Sequence, residues 1–234
     1  MTDEVKSAQH SALAGVLRDV VLFDLDGTVL DTHDAIVDGL RYATQKVLGR
    51  IIPDDVLVAE VGQPLVHQMN TFAEGNEELR EELLTIYRSR NERDLDERTH
   101  PYAGIPELID KLNAEGYTVG VVTSKREALA TKSLKAFGLY DKFARVNGME
   151  SSKGHKPDPD PLIQAASDLG VTLDRCIYIG DSPYDIQAAH GARIPVIGVT
   201  WGKFFSREKL EANAPMAIVE RCEDLLDVIH QLTK

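Results

Sequence analysis

Val20-Val21-Leu22-Phe23-Asp24-Leu25-Asp26-Gly27-Thr28-Val29-Leu30-Asp31-Thr32 is the stretch on which the fold turns. Four apolar residues run into two aspartates one residue apart, and Gly and Thr follow at once. Such a run reads as a buried strand that ends in acid. A parallel strand buried on both faces offers polar groups to a ligand only at its C-terminal tip. Asp24 and Asp26 stand at that tip, and Gly27 permits a turn that a Cβ would obstruct. Two carboxylates this close repel, and a bound cation is the usual remedy. A strand entering a plain Asp-Gly turn would carry the same letters, so the rest of the chain has to decide.

The chain has 234 residues, 43% of them hydrophobic, enough for one large domain or for a core carrying an inserted subdomain. A net charge of −12 argues against nucleic acid or an anionic membrane as a partner. An anionic substrate must then be drawn by a local cluster or a metal. Cys176 and Cys222 lie far apart and in no Cys-x-x-Cys spacing, so they read as reduced thiols of a cytoplasmic protein. No stretch approaches the roughly 18 uninterrupted apolar residues of a membrane span. Residues 1–10 show neither the basic start nor the apolar run of a secretory signal, so a cytoplasmic location is expected.

Residues 1–18 are a polar lead-in, with a short helix expected at Ser11–Arg18. After the opening strand, Ile36, Val37, Leu40, Ala43 and Val47 recur at helical spacing, and Gly49 ends the helix. Further helices are expected at Asp54–Glu60, Pro64–Ala73 and Glu77–Glu97, the last capped by Asn76 and presenting a solvated Glu/Arg face. No strand is expected between Thr32 and His100. From Tyr102 onward strand and helix alternate. Strands are expected at Tyr117–Val122, Phe143–Val146, Cys176–Ile179, Pro195–Val199 and Met216–Val219, with a helix before, between and after them. That alternation calls for a parallel sheet covered by helices on both faces, an α/β fold. The helical block interrupts the pattern after its first strand and reads as an insertion, joined by linkers near Asp31–His33 and Glu97–Ala103.

Three more of the expected strands end in polar residues of specific kinds. Val119–Val122 runs into Thr123-Ser124-Lys125 ahead of a helix, where a hydroxyl and backbone amides form an anion seat or simply cap the helix. Lys156 precedes Pro157, which biases it to an extended backbone from which its ammonium can enter a site. Ile177-Tyr178-Ile179 runs into Gly180-Asp181-Ser182-Pro183-Tyr184-Asp185, a second acidic strand end with another carboxylate one helical turn on. Standing alone it would be a turn and an Asp-capped helix. Together with Asp24, Asp181 supplies hard oxygen ligands of the kind Mg2+ takes.

In order, then, come an acid pair, a hydroxyl, a lysine and an acid pair, each at a strand end of one sheet. This set resembles the haloacid dehalogenase superfamily, whose four motifs match Asp24-Leu25-Asp26-Gly27-Thr28, Thr123, Lys156, and Gly180-Asp181 with Asp185. Val122-Thr123-Ser124-Lys125, Lys156-Pro157-Asp158-Pro159 and Val199-Thr200-Trp201-Gly202 are similar to its phosphoglycolate phosphatase and pyrophosphatase branch. The resemblance runs from about Val20 to the end. It implies a Rossmann-like three-layer parallel-sheet core at residues 19–32 and 102–234, with an α-helical bundle cap inserted at 33–101.

The resemblance also implies an aspartyl-phosphate mechanism. Asp24 is the nucleophile, and Asp26 the general acid and then base. The Mg2+ is held by Asp24, the Asp26 backbone carbonyl and Asp181. Thr123, the Ser124 amide and Lys156 bind the phosphoryl oxygens. Thr28 steadies Asp26, and Asp185 orients Lys156 or a metal-bound water. Asp26 favours phosphate chemistry, since the superfamily's dehalogenases lack an aspartate there. The expected substrate is a small phosphorylated metabolite, 2-phosphoglycolate first, with pyrophosphate or a nucleotide monophosphate next. A sugar phosphomutase is the enzymatic alternative, and a catalytically silent binding protein the non-enzymatic one. A monomer or weak homodimer is expected.

Specificity is expected in the cap. Gly62-Gln63-Pro64-Leu65 either faces the active site or merely joins two helices. Lys125, Arg126 and Lys203 either meet an anionic substrate tail or stay solvated. Lys203-Phe204-Phe205 replaces the family's smaller, Gly-rich turn and can alter the rim of the site.

Overall fold

All four residues of β1 (Val20–Phe23) are wholly inaccessible to solvent, as a strand that is apolar on both faces requires. In this computed structural model the described residues are 18–233, less the side chains of 92–97, so the helix expected at Ser11–Arg18 lies outside them apart from Arg18. β1 is followed by β2 (Leu30–Asp31) and then by α1 (His33–Leu48), α2 (Asp54–Leu57), α3 (Leu65–Phe72) and α4 (Glu77–Arg98). After β3 (His100–Pro101) the alternation begins: α5 (Ile105–Ala114), β4 (Thr118–Val122), α6 (Glu127–Ala136), β5 (Arg145–Asn147) and α7 (Asp160–Asp168). It closes with β6 (Cys176–Gly180), α8 (Pro183–Ala192), β7 (Val196–Val199), α9 (Arg207–Glu211), β8 (Ala217–Val219) and α10 (Cys222–Thr233).

Six of these strands form one parallel sheet in the order β5-β4-β1-β6-β7-β8. The chain builds outward from β1 on one side and then returns to build on the other, so β1 marks the point where the order reverses. In open α/β sheets that crevice, at the carboxyl ends of the strands, is where ligands bind. Register brings the polar strand ends level. Phe23 pairs with Val121 on one side and with Ile179 on the other. Asp24, Thr123 and Asp181 therefore emerge within two residues of one line across the sheet.

Each face of the sheet has its own apolar layer. Val20, Leu22, Tyr178 and Val196 pack into one, and Val21, Phe23, Ile177, Ile179 and Ile197 into the other. The first layer continues into the four inserted helices through Val37, Leu40, Leu57, Met69 and Leu83. Local signals bound two of those helices as the sequence predicts: Asn76 Oδ1 accepts from Leu79 N at 3.1 Å, and Gly49 closes α1 at φ +65°.

One feature has no signal in the sequence. The two linkers of the insertion pair with each other, β2 antiparallel to β3, with Leu30 opposite Pro101 and Asp31 opposite His100. Two-residue strands are too short to show a period, and their partners lie some seventy positions apart. Lys203 Nζ braces this ribbon at 3.1 Å from Asp31 Oδ2. Beside it, Phe204 and Phe205 are buried, Phe204 against the His33 ring (centroids 5.1 Å) and Phe205 edge-on to Tyr184 (6.2 Å). The Lys203-Phe204-Phe205 departure thus packs the base of the insertion. No helix among the described residues is long and apolar enough to cross a membrane.

Candidate active site

Beyond Phe23 the chain curls on a single carbonyl. The amides of Val29 and Leu30 both donate to Leu25 O, at 3.0 and 2.9 Å, and Gly27 N donates to Leu30 O at 2.8 Å. Gly27 takes φ +88°, which the turn demands and which a side chain resists. The curl leaves Asp24 buried and Asp26 partly open to solvent, both lining one cleft.

Lys156 is the electrostatic centre of this end of the sheet. Its side chain is about as buried as that of any lysine can be, with relative exposure of 1%. All three ammonium protons are matched: Asp185 Oδ1 at 2.7 Å, Asp24 Oδ1 at 2.8 Å and Val122 O at 2.9 Å. Burial works against its charge, but Asp185 and Asp24 outweigh that and hold its pKa above the ordinary lysine value. Asp185 is held in turn by Tyr178 Oη (3.0 Å), Ser182 N (3.1 Å) and Ser182 Oγ (2.6 Å). Ser182, not Asp181, caps α8, through a reciprocal capping box with Asp185. That frees Asp181 for other work.

Asp181 is the group left wanting. Thr28 Oγ1 donates to its Oδ1 at 3.2 Å, whereas Oδ2 is buried and has no hydrogen-bond partner. The Thr28 hydroxyl, expected to steady Asp26, is thus spent on Asp181. Burial drives the Asp181 pKa well above the carboxylate range, and Asp24 and Asp185 push the same way. Burial likewise pushes Asp24 up to about 7, against the pull of Lys156. With all three buried carboxylates ionised against one ammonium, the cluster would carry an excess of two negative charges where each ion costs several kcal/mol, and the raised pKa values of Asp24 and Asp181 express that cost.

Asp24, Asp181 and Asp185 can bring one oxygen each within 4.8 Å of the others. All-oxygen donors, an orphaned buried oxygen and a charge deficit of two fit a hard divalent cation. Asp185 is fully engaged, so Asp24 and Asp181 are the better ligands. The Asp26 side chain stands outside this group, leaving only its backbone carbonyl as an expected ligand. Two glycines wall the cradle: a Cβ on Gly27 or on Gly202 would overlap Asp181 Oδ2, and one on Gly202 would also come within 2.7 Å of Gly27 O. Trp201 fixes that wall by donating from Nε1 to Thr28 O at 3.0 Å. Gly202→Ala is therefore expected to weaken binding of a hard divalent cation here at least about tenfold while the protein stays folded. Calorimetric titration checks this, and an unchanged affinity would remove Gly202 from the cradle.

At the end of β4, Thr123 Oγ1 accepts from Lys125 N at 3.2 Å, and Ser124 Oγ donates to Gly62 O at 2.6 Å. Neither caps α6, which starts at Glu127 with its first amide held by Glu150 at 2.9 Å. Lys125 forms an ion pair with Asp26, Nζ to Oδ1 at 2.9 Å, a contact that nothing in the sequence signals. Arg126 is taken by Glu150 and Lys203 by Asp31. The three cations considered for a substrate tail are thus all engaged.

The inserted helices roof this arrangement. Gly62, Gln63 and Leu65 line the cleft with Asp24, Asp26, Thr123 and Ser124, so this segment does face the acids. Gly62 lies against Ser182 and Tyr184, and Tyr184 Oη donates to Ala59 O at 2.9 Å. The cleft offers about 140 Å³, roughly ten times what one water needs, which suits a small molecule.

Lys156, expected at a strand end, lies instead in the loop between β5 and α7, and only its ammonium reaches the strand tips. A sheet of this topology with acids at its strand ends and that lysine among them defines a class, and comparison with known proteins agrees. The family model described as haloacid dehalogenase-like hydrolase matches residues 21–199. This chain belongs to that family. It is 35% identical over 209 residues to a protein of Caldanaerobacter subterraneus subsp. tengcongensis provisionally named pyrophosphatase PpaX, covering 89% of this chain and 93% of that one. To the pyrophosphatase PpaX of Bacillus velezensis it is 32% identical, over 89% of this chain and 94% of that protein. Among solved structures, a predicted phosphatase from Clostridium acetobutylicum superposes with a TM-score of 0.83 at 29% identity, over 92% of this chain and 100% of that one.

Proposed function

We propose that this hydrolase is a Mg2+-dependent phosphatase that cleaves a small phosphorylated metabolite through an aspartyl-phosphate on Asp24. The observation that carries the reading is Asp24 itself, a buried carboxylate lining the cleft, bonded to Lys156 and clustered with the orphaned oxygen of Asp181. Asp24 attacks phosphorus, and the bond to the leaving oxygen breaks as Asp26 protonates that oxygen. Asp26 then takes a proton from water, whose oxygen attacks the same phosphorus and frees Asp24 and inorganic phosphate. Thr123 and the Ser124 amide hold the phosphoryl oxygens, and Lys156, kept aimed by Asp185, reaches one of them by exchanging its bond to Asp24 as that carboxylate attacks. An incoming phosphoryl group competes for Lys125 and so releases Asp26 for proton transfer. Asp24, Asp181 and the Asp26 carbonyl would hold Mg2+, which would supply neutralisation of the charge on the phosphoryl group. Residues 33–101 act as a cap that excludes bulk water.

The leading substrate is a phosphoglycolate-like monoester. Pyrophosphate is the second reading, supported by the names of the curated relatives. A phosphate-release screen with and without Mg2+, over 2-phosphoglycolate, pyrophosphate, a hexose phosphate and a nucleoside monophosphate, tests both. Mg2+-dependent release from one of the first two is expected. Isomerisation of the hexose phosphate without release would make the protein a mutase, and no turnover of any substrate would make it a binding protein.

The Asp24 shift has a consequence for pH. Its folded value of about 7 lies above the ordinary 3.8, so folding favours the protonated form. This contribution to stability is complete below the unfolded pKa and is lost as pH rises through the folded one. Metal-free protein should therefore melt at lower temperature near pH 8 than near pH 5, with Asp24→Asn flattening the slope and Mg2+ stabilising most at the higher pH. Thermal melts across that range decide it; a Mg2+ effect that shrinks as pH rises would contradict the assignment.

A further inference from the structure

Four cationic side chains stand in or beside the cleft, and three of them are committed to acids. Lys156 bridges Asp24 and Asp185, Lys125 pairs with Asp26, and Arg126 pairs with Glu150. The fourth, Arg88 of α4, lines the same cleft and has no ion pair or hydrogen bond among the described residues. Arg88 is half-buried as a residue, and its guanidinium carries five donors that no protein acceptor among the described residues answers. Its neighbourhood is polar on one side. Asn91, one helical turn on, donates to Tyr87 Oη at 3.0 Å, while its Oδ1 is buried without a partner, and both residues line the cleft. Leu65, Val66 and Met149 line the rest with apolar surface that no anion would seek.

We infer that Arg88 binds a second acidic group on the substrate, a carboxylate or a further phosphoryl, distinct from the phosphoryl that Asp24 attacks. This rests on the phosphatase reading above and deepens it. The acids and Lys156 recognise only the reacting group, which every phosphate ester carries. Arg88 comes from the inserted helices that roof the cleft, so it reads the far end of the molecule. A planar fork of donors suits either oxyanion, and bidentate pairing in a partly dry cleft adds both affinity and orientation. Substrates whose far end is an uncharged alcohol would leave the guanidinium unpaired and be disfavoured.

The test compares three substrates by kcat/KM: 2-phosphoglycolate and pyrophosphate, each as a ratio to glycerol 3-phosphate, whose remainder is an uncharged diol. In Arg88→Gln at least one ratio is expected to fall by about ten- to hundredfold, carried by KM. Arg88→Lys should restore part of it, and both variants should keep the wild-type melting temperature within a few degrees. A fall for 2-phosphoglycolate alone identifies a carboxylate, and one for pyrophosphate alone a second phosphoryl. Unchanged ratios would overturn the assignment of Arg88 while leaving the phosphatase reading intact. A wild-type protein that hydrolyses none of the three would overturn both.

Discussion

Asp24→Asn is expected to abolish phosphate release without unfolding the protein. The amide matches the carboxylate in shape, and its oxygen can still accept from Lys156, which now bonds Asp24 at 2.8 Å. It also removes one negative charge from a buried cluster that carries too many, so the metal-free variant should be at least as stable as wild type at neutral pH. What it lacks is a nucleophile. Loss of an activated nucleophile typically costs turnover by a factor on the order of 10⁴ or more. Phosphate release at saturating substrate, with a thermal melt alongside, measures both effects. Near-normal turnover would sink the aspartyl-phosphate mechanism, and an unfolded variant would show that Asp24 is needed for the fold.

Lys156→Met is expected to lose activity and stability together. Methionine fills a similar volume, but it leaves two buried carboxylates without the ammonium that now bonds both, while the Val122 carbonyl can still accept from Tyr178 Oη at 3.0 Å. Breaking a buried ion pair from one side costs about 3–5 kcal/mol. Adding Asp185→Asn should return part of that, because the second change removes one of the stranded charges. Urea unfolding of wild type, the single variants and the double variant closes the cycle. A loss below about 1 kcal/mol for Lys156→Met would mean that solvent or another cation reaches these acids.

Much of the site is legible without coordinates. Apolar runs ending in Asp24, Thr123 and Asp181 imply strand tips, and β1, β4 and β6 are adjacent and level, so the three residues meet. Lys156 is legible from its proline, which keeps it out of α7. Ser182 is harder: both Asp181 and Ser182 are good caps, and only the capping box with Asp185 separates them. The family resemblance aims Thr28 at Asp26, yet its hydroxyl crosses 153 positions to Asp181. Arg88 looks like part of a solvated Glu/Arg face, because a helix with charge on most sides gives no sign of which side is roofed.

Order and spacing of residues are enough to dictate the parallel sheet, the helical insertion after its first strand and the acids at the strand tips. Those follow from period and burial: a strand that is apolar on both faces can show polar groups only where it ends. Which cation answers which acid is settled later, by the packed chain. Lys125 on Asp26, Lys203 on Asp31, Arg126 on Glu150, and Arg88 on none of the described acids are choices made by long side chains among partners far off in sequence. No period encodes them, since each depends on which carboxylate the fold brings within about 3 Å and how much water it leaves there.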